Sequence, residues 1–321
     1  MIIGLKRVVF LFFVALVIGG CGKEQIRAEK AMYFWKTQLV LTDEDRAFVQ
    51  KNAIKKLYVR YCDVGLVNDE PVPIAPVQID TASIQTMSVV PVVYLKNEIF
   101  MDIRQENYIT ELAGHLTNYI GQINKKYGIT TNELQLDCDW TLKTKEAYFR
   151  FVEEMKERNR GWRFSATIRL HQVKYYEKTG VPPVDYGVLM YYNMGQITAM
   201  GGNSIYERST AKGYIKRLKE YKLPLNIALP MFSWGVHSVR DEVVNLIGGL
   251  TAEEMNAIEG VRLTEVPNVY KVEKQTYYKG RLWQVGDKIK IEEVNEGQRE
   301  EMLKDLGEVM REAPKEVIYF R

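Results

Sequence analysis

The chain has 321 residues, 46% of them hydrophobic, and a formal charge of +3 from 44 Lys and Arg against 41 Asp and Glu. That length is enough for one large domain with a substantial core. No basic run with interleaved aromatic residues occurs, so we expect no nucleic-acid partner. The 20 Tyr and 5 Trp residues favour a protein that handles a ligand with flat apolar faces.

The N-terminus has the layout of a bacterial secretory signal: Lys6 and Arg7, an apolar run over 8–18, and then small residues before Cys21. The run is shorter than the ~20 residues that cross a bilayer core, so it does not predict a spanning helix. Ile18-Gly19-Gly20-Cys21 resembles the lipobox of bacterial lipoproteins. That resemblance implies cleavage before Cys21 and a lipid on its sulfur; a free or disulfide-bonded Cys21 is the alternative.

The resemblance implies a signal peptide at 1–20, a polar tether at 21–30 and a domain at 31–321 in the bacterial envelope. Membrane attachment would be through the lipid, and Gly22 after the lipidated cysteine favours outer-membrane sorting. Removing the signal would remove two positive charges and lower the formal charge to +1. The sequence does not specify the oligomeric state.

The remaining cysteines, Cys62 and Cys138, fall in separate predicted strands, so two buried thiols are preferred over a disulfide. Neither CxxC nor HExxH spacing occurs, and His115, His171 and His237 are scattered. We therefore expect no structural metal site and no cofactor.

Beyond the tether, short apolar strands alternate with amphipathic helices, as in a buried parallel sheet. The sequence predicts helices over about 42–53, 107–127, 143–159 and 298–312. No GxGxxG turn is present, so eight strands favour a (β/α)8 TIM barrel over an open doubly wound sheet. The predicted strands are Met32–Trp35, Lys56–Val64, Val89–Leu95, Glu133–Thr141, Trp162–Leu170, Tyr186–Asn193, Leu225–Phe232 and Val317–Phe320.

One segment departs from an ideal barrel. Between the seventh and eighth strands, about 269–294 alternates apolar and polar residues around turn signals. This pattern predicts an inserted β-hairpin or small antiparallel sheet.

The fourth predicted strand places acidic groups where an apolar core is expected. Alternate residues share a face, so Gln135, Asp137, Asp139 and Thr141 lie together, opposite a face that includes Trp140. Two carboxylates about 6.6 Å apart along a strand repel each other unless a cation, a shared proton or a ligand intervenes. The stretch therefore predicts the floor of a site.

Functional residues of such barrels lie at the C-terminal strand ends, which are polar and aromatic here. The fifth strand alternates hydroxyl and cationic side chains that should meet the acidic face. Candidate binding residues are Trp35, Arg60, Asp63, Asn97, Arg169, His171, Tyr192, Asn193 and Trp234.

Two motifs resemble the glycoside hydrolase family 18 chitinases, and more closely a family of bacterial lipoproteins that shares their barrel. Asp137-Cys138-Asp139-Trp140 is similar to the end of the chitinase strand-four motif, and Met190-Tyr191-Tyr192-Asn193 is similar to Met-x-Tyr-Asp on strand six. The resemblance implies a carbohydrate-binding cleft. It departs from the family pattern at Thr141, in the place of the proton-donating glutamate, at Leu134, in the place of the first aspartate, and at Asn193.

Glycosidic hydrolysis needs two carboxyl groups, about 5–5.5 Å apart for retention and roughly 6.5–9.5 Å for inversion. Asp139, Asp137 and Glu98 are the catalytic candidates, with Glu98 or Asp63 as a partner for Asp139 from across the cleft. Alternatively, Asp137 and Arg169 form a buried ion pair.

Three functions remain open at this point. The first is an envelope-anchored carbohydrate-binding protein that also hydrolyses its ligand. The second is a noncatalytic glycan-binding or envelope-interaction protein. The third is metal-dependent hydrolysis through Asp137, Asp139 and His171.

Overall fold

The computed structural model describes residues 28–101, 103 and 107–321. The predicted signal peptide at 1–20, the lipidation site Cys21 and the tether up to residue 27 lie outside the described residues. Within these ranges, no helix has the length and apolar composition needed to cross a bilayer.

The described residues form eighteen strands. They are β1 (Glu29–Phe34), β2 (Gln38–Leu39), β3 (Lys56–Val67), β4 (Glu70–Ile74), β5 (Gln78–Ile79), β6 (Ser88–Leu95), β7 (Glu133–Cys138), β8 (Arg163–Arg169), β9 (Tyr186–Met190), β10 (Leu225–Pro230), β11 (Trp234–Val239), β12 (Glu242–Gly248), β13 (Val261–Leu263), β14 (Val269–Val272), β15 (Thr276–Tyr278), β16 (Arg281–Trp283), β17 (Lys288–Glu292) and β18 (Glu316–Phe320).

The α-helices alternate with the strands through most of the chain. They are α1 (Asp43–Lys51), α2 (Tyr108–Tyr127), α3 (Lys145–Arg158), α4 (Leu170–Lys174), α5 (Tyr176–Thr179), α6 (Arg208–Ile215), α7 (Ala252–Ala257) and α8 (Glu296–Val309). Short 3-10 helices follow β5, β6 and α6 at Thr81–Ser83, Asn97–Phe100 and Leu218–Glu220.

Eight parallel strands close into a barrel. Their order is β1-β18-β10-β9-β8-β7-β6-β3, and β3 pairs with β1 to complete the ring. These are the eight strands that the sequence predicts, which confirms the (β/α)8 fold. Several end earlier than predicted: β7 ends at Cys138 and β9 at Met190.

The two faces of β7 have the predicted environments. The Tyr33 hydroxyl of β1, a strand that is not adjacent to β7, donates to Gln135 Oε1 at 2.6 Å, so the Gln135 and Asp137 face points into the barrel. On the other face, Trp140 stacks on Tyr148 of α3 with ring centroids 5.3 Å apart. Trp140 is therefore a core residue. Cys62 and Cys138 are free, buried thiols, as expected.

The larger helices have clear sequence origins. Thr42 and Asp45 form a capping box at the start of α1, because each side chain binds the backbone of the other. α2 ends at Gly128, whose φ of 64° is a left-handed conformation that glycine adopts without strain. The buried positions of α2 recur every three or four residues: Ile109, Leu112, Ala113, Leu116, Ile120 and Ile123.

A second sheet is inserted between β10 and β18. Five antiparallel strands are ordered β12-β11-β17-β14-β13, and β15 and β16 form a hairpin beside them. This sheet has its own apolar core around Trp283. It begins at Trp234, well before the predicted 269. The reason is that β12, at the edge, exposes Val243 and Val244 in succession and lacks the alternation that marks a half-buried strand.

The N-terminal end of the barrel is closed by a polar network. Lys56 Nζ lies 2.5 Å from Glu316 Oε1 and 3.2 Å from Glu133 Oε1. The Tyr58 hydroxyl donates to Glu316 Oε2 at 2.5 Å, and the Tyr186 hydroxyl donates to Glu133 Oε2 at 3.0 Å. These residues lie at the N-terminal ends of β3, β7, β9 and β18, and their contacts link the four strands.

Candidate functional site

A cavity of about 390 Å³ opens at the C-terminal ends of the barrel strands. Each barrel strand contributes to its lining, either directly or, for β1 and β10, through residues that follow the strand. Asp63, Tyr94 and Asp137 are register partners on β3, β6 and β7, so they form one layer. The lining residues are Trp35, Arg60, Asp63, Tyr94, Asp137, Asp139, Arg169, Met190, Tyr192, Asn193, Phe232, Trp234 and Phe320.

Arg169 bridges the two aspartates of the predicted floor. Its Nε donates to Asp139 Oδ1 at 2.5 Å, and its Nη2 lies 3.5 Å from Asp137 Oδ1. The Asp137 carboxyl is buried and also accepts a hydrogen bond from the Thr167 hydroxyl, whereas the Asp139 side chain is 49% exposed. The two acids therefore share one guanidinium but differ in their access to water.

Burial raises the pKa of Asp137 above its usual value, even though Arg169 and the Thr167 hydroxyl both oppose that shift. On Arg169, burial acts to lower the pKa, but the charges of Asp137 and Asp139 outweigh it and hold the pKa above its ordinary range. The cavity floor thus combines a permanent cation with a carboxyl group that holds its proton more tightly than usual.

A second arginine is also paired. Arg60 Nε donates to Asp63 Oδ1 at 2.6 Å, and Arg60 Nη2 lies 2.5 Å from Asp63 Oδ2, which is a bidentate geometry. The guanidinium carbon lies 5.9 Å from the centroid of the Trp35 ring. Both arginines of the lining are therefore engaged by aspartates, and among the described residues that line the cavity there is no free cation for a ligand.

The opposite side of the cavity is aromatic. Phe320 lies at the centre of a cluster in which its ring centroid is 5.7 Å from Trp35, 5.5 Å from Tyr192 and 5.9 Å from Phe232. Trp234 continues the cluster at 5.2 Å from Phe232. Burial raises the pKa of Tyr192, so its hydroxyl keeps its proton. The cavity therefore has an apolar wall that faces a wall of ion pairs.

The loop after β9 has an uncommon backbone conformation at Asn193. Its φ of 55° lies in the left-handed region, which asparagine tolerates better than most residues do. The Asn193 N–H donates to the Ile205 carbonyl at 2.9 Å, which fixes the turn and leaves the exposed side chain at the cavity.

Nine of the twelve predicted site residues line this cavity: Asp137, Asp139, Trp35, Arg60, Asp63, Arg169, Tyr192, Asn193 and Trp234. Glu98, Asn97 and His171 do not line it. β6 ends at Leu95, and the chain continues into a 3-10 helix from Asn97. Tyr94, and not a polar residue beyond the strand end, represents β6 in the cavity.

Other contacts account for these three residues. The half-exposed Glu98 carboxylate lies 4.0 Å from Lys96 Nζ and accepts a long hydrogen bond from the Leu66 N–H. Asn97 Oδ1 accepts from the Thr144 hydroxyl at 2.5 Å, next to the start of α3. His171 is exposed on α4, and its pKa is lowered, chiefly by partial burial of the ring.

Thr141 is exposed and does not line the cavity. Its N–H donates to Thr144 Oγ1 at 2.9 Å in the turn that precedes α3. The position at which the sequence departs from the chitinase motif is thus used locally to begin a helix.

Sequence reasoning missed Tyr94, Met190, Phe232 and Phe320. Phe232 and Phe320 follow or end predicted strands, so the rule that identified Trp35 also applied to them. An apolar residue at a strand end has the same sequence pattern as a core residue, so the sequence assigns it to the core.

Within 28–101, 103 and 107–321, no group of three His, Cys, Asp or Glu side chains is arranged to hold a metal ion. Asp137, Asp139 and His171 are all described, so the geometry does not support the metal-dependent reading.

No family model matches the chain, and no curated protein matches its sequence significantly. Solved structures with the same fold do exist. The spore cortex-lytic enzyme SleL from Bacillus cereus is 13% identical, with a TM-score of 0.57 over 92% of this chain and 70% of that one. SleL from Bacillus megaterium, also 13% identical, has a TM-score of 0.58 over 91% and 70%.

A GH18 chitinase from Cycas revoluta, in complex with (GlcNAc)4, is 11% identical, with a TM-score of 0.52 over 91% of this chain and 94% of that one. At these identities the similarity concerns the fold. The chain thus has a (β/α)8 barrel like those of GH18 chitinases and spore cortex-lytic enzymes.

Proposed function

We propose that the protein binds a carbohydrate in the cavity at the C-terminal end of the barrel. The observation that carries this proposal is the pairing of an aromatic wall with a wall of charged hydrogen-bonding groups. Pyranose rings have apolar faces that stack on aromatic side chains and a rim of hydroxyls that bind carboxylates and guanidinium groups. The fold similarity to a chitinase in complex with (GlcNAc)4 supports the same ligand class.

The ion pairs also restrict the charge of the ligand. Arg60 and Arg169 are both bound to aspartates, so an anionic sugar would have to break an existing ion pair to gain one. We therefore propose a neutral oligosaccharide in preference to one that carries uronic acids.

The test is calorimetry of the purified 28–321 segment against neutral oligosaccharides, including (GlcNAc)4, and against uronic-acid oligosaccharides of equal length. We expect binding of a neutral ligand that Phe320→Ala weakens about fivefold or more, since stacking on one aromatic ring contributes on the order of 1 kcal/mol beyond its buried area. Tyr277→Ala removes an aromatic ring that is 72% exposed and does not line the cavity, so it serves as the matched control. Equal loss in both variants, or preference for the acidic sugars, contradicts the proposal.

Hydrolysis of the bound glycan is the second candidate. It is favoured by the unequal environments of Asp137 and Asp139, because a buried carboxyl whose pKa is raised lies beside an exposed one, and such unequal environments separate an acid from a base. Release of reducing ends that disappears in Asp139→Asn supports an enzyme. Binding without turnover in the unmodified protein supports the noncatalytic alternative.

We also propose that the protein is attached to the bacterial envelope through lipid on Cys21, with sorting to the outer membrane. The support is the sequence over 1–22 alone. Labelling of the full chain with a clickable fatty acid in bacteria tests this. Label should be present in the unmodified chain and absent from Cys21→Ser; label in both, or in neither, contradicts the proposal.

A further inference from the structure

The inserted sheet leaves and rejoins the barrel at one pair of residues. Trp234 follows β10 and begins β11, while Glu292 ends β17, and the two are register partners in adjacent antiparallel strands. Trp234 is also a lining residue of the cavity. The junction of the insertion is thus part of the proposed binding site.

A buried carboxylate holds this junction together. Glu292 is 1% exposed, and its Oε2 accepts from Trp234 Nε1 at 2.8 Å and from the Ser204 hydroxyl. Its Oε1 lies 2.7 Å from Lys290 Nζ, which is itself buried and donates to the Gly202 carbonyl at 3.1 Å. One side chain therefore joins the insertion, the cavity tryptophan and the loop that follows β9.

A requirement to seal the junction does not explain these charges. Burying an ion pair carries a desolvation cost, and well-packed apolar residues of similar volume are often as stabilising or more so. What an apolar pair cannot supply is an acceptor for the indole N–H. That hydrogen bond, together with the contact between the Trp234 and Phe232 rings, determines the plane in which the indole faces the cavity.

We propose that Glu292 is a positioning residue that sets the orientation of the Trp234 indole in the cavity, and that the seating of the insertion therefore shapes the binding site. The proposal rests on the proposed function for the ligand that Trp234 would contact. The test of Glu292 uses no ligand. Its result is therefore independent of whether the cavity binds a carbohydrate.

The experiment compares two double variants, Lys290→Met/Glu292→Gln and Lys290→Met/Glu292→Leu. Both remove the buried charges, and only the first keeps an oxygen that can accept from the indole. The readout is acrylamide quenching of Trp234 fluorescence, obtained by subtracting the same protein with Trp234→Phe. We expect the glutamine variant to match the unmodified protein, and the ratio of anchored to released indole to fall about fivefold in the leucine variant, the factor that corresponds to one hydrogen bond of about 1 kcal/mol.

Asp287→Asn is the matched control, because it alters another buried acid of the same segment, paired with His237 at 2.9 Å, that does not contact Trp234. Equal quenching in the two double variants, or a change in the control as large as that of the leucine variant, overturns the proposal.

A measurement on the unmodified protein covers the case in which the variants fail to fold. Hydrogen exchange of the five indole N–H groups is followed by NMR, and Trp234 is assigned by its missing signal in Trp234→Phe. The proposal requires slow exchange at Trp234 Nε1. Exchange as fast as that of a free indole overturns it.

Discussion

At the scale of single residues, Arg169 determines the character of the cavity floor. It is the last residue of β8, and its guanidinium contacts both Asp137, inside the barrel, and Asp139, at the rim. The two acids compete for the Arg169 cation. A ligand that draws Asp139 away from Arg169 would therefore strengthen the interaction of the Arg169 charge with Asp137. Binding at the rim and protonation in the interior are therefore linked.

The raised pKa of Asp137 predicts a pH-dependent stability. A group whose folded pKa exceeds its unfolded value, about 3.9 for aspartate, adds stability below that value and loses it as the pH rises through the folded pKa. The unfolding free energy of the unmodified protein relative to Asp137→Asn should thus fall as the pH rises from about 4 through the folded pKa of Asp137, by about 1.4 kcal/mol per unit of pKa shift.

Urea denaturation across that pH range measures this difference. Asp241→Asn, at an aspartate whose side chain is 61% exposed, is the control and should show a nearly constant difference. A relative stability of the unmodified protein that rises with pH contradicts a raised pKa of Asp137 in the folded protein.

A site residue was predictable where its position along a strand determines which way its side chain points. Asp137, Asp139 and Arg169 follow from alternation and from the rule that the C-terminal strand ends carry function. Glu98 lies outside the cavity because the position at which a strand ends, and the helix that follows, depend on tertiary contacts that the sequence does not display. Phe320 was missed because an aromatic residue in the core and one in a cavity wall have the same local pattern.

At the scale of elements, β9 has no space for a side chain at Gly187. A Cβ there would lie 2.6 Å from Ile168 Cγ1 on β8 and 2.7 Å from a Leu225 methyl on β10, much closer than such atoms pack. Gly187→Ala should therefore lower the unfolding free energy by about 1–3 kcal/mol through overpacking of the strand.

The matched control is Gly121→Ala in α2, where a Cβ meets nothing within 4 Å. Alanine should stabilise this helix position by roughly 0.5–1 kcal/mol. Thermal and urea denaturation of both variants give the comparison, and a Gly187→Ala protein as stable as the parent would show that the neighbouring strands can move apart.

The elements of the barrel were more predictable than those of the insertion. Most of the barrel strands are short, mainly apolar and buried on both faces along most of their length, so their pattern does not depend on what surrounds them. β12 is an edge strand with consecutive exposed valines, so nothing in its sequence distinguishes the two faces. The sequence therefore does not show that β12 belongs to the inserted sheet, and only its pairing with β11 in the structure does.

At the scale of the whole molecule, the polar network at the N-terminal end of the barrel should stabilise the closed ring. Burial acts to lower the pKa of Lys56, but the hydrogen bond and charge of Glu316, together with Glu133, raise it above its ordinary value. The stability that Lys56 contributes is therefore present below about pH 10.4, its unfolded pKa, and is lost as the pH rises through the higher folded value.

Lys56→Met tests this network. At neutral pH it should lower the unfolding free energy by about 2 kcal/mol, since it leaves the carboxylate of Glu316 without its cation, and the difference from the parent should shrink above about pH 10. Lys30→Met, at an exposed lysine of β1, should stay within about 0.5 kcal/mol of the parent. Equal effects of the two substitutions at neutral pH contradict a role for the network.

The direction of β1 limits how far the cavity would lie from a membrane to which the chain is attached. β1 begins at Glu29, at the end of the barrel remote from the cavity, and seven residues, or eight Cα–Cα steps, separate it from Cys21. If Cys21 carries a lipid, those residues reach at most about 28 Å when fully extended, and the barrel adds roughly 20 Å along β1. The cavity would then lie no more than about 50 Å from the membrane surface.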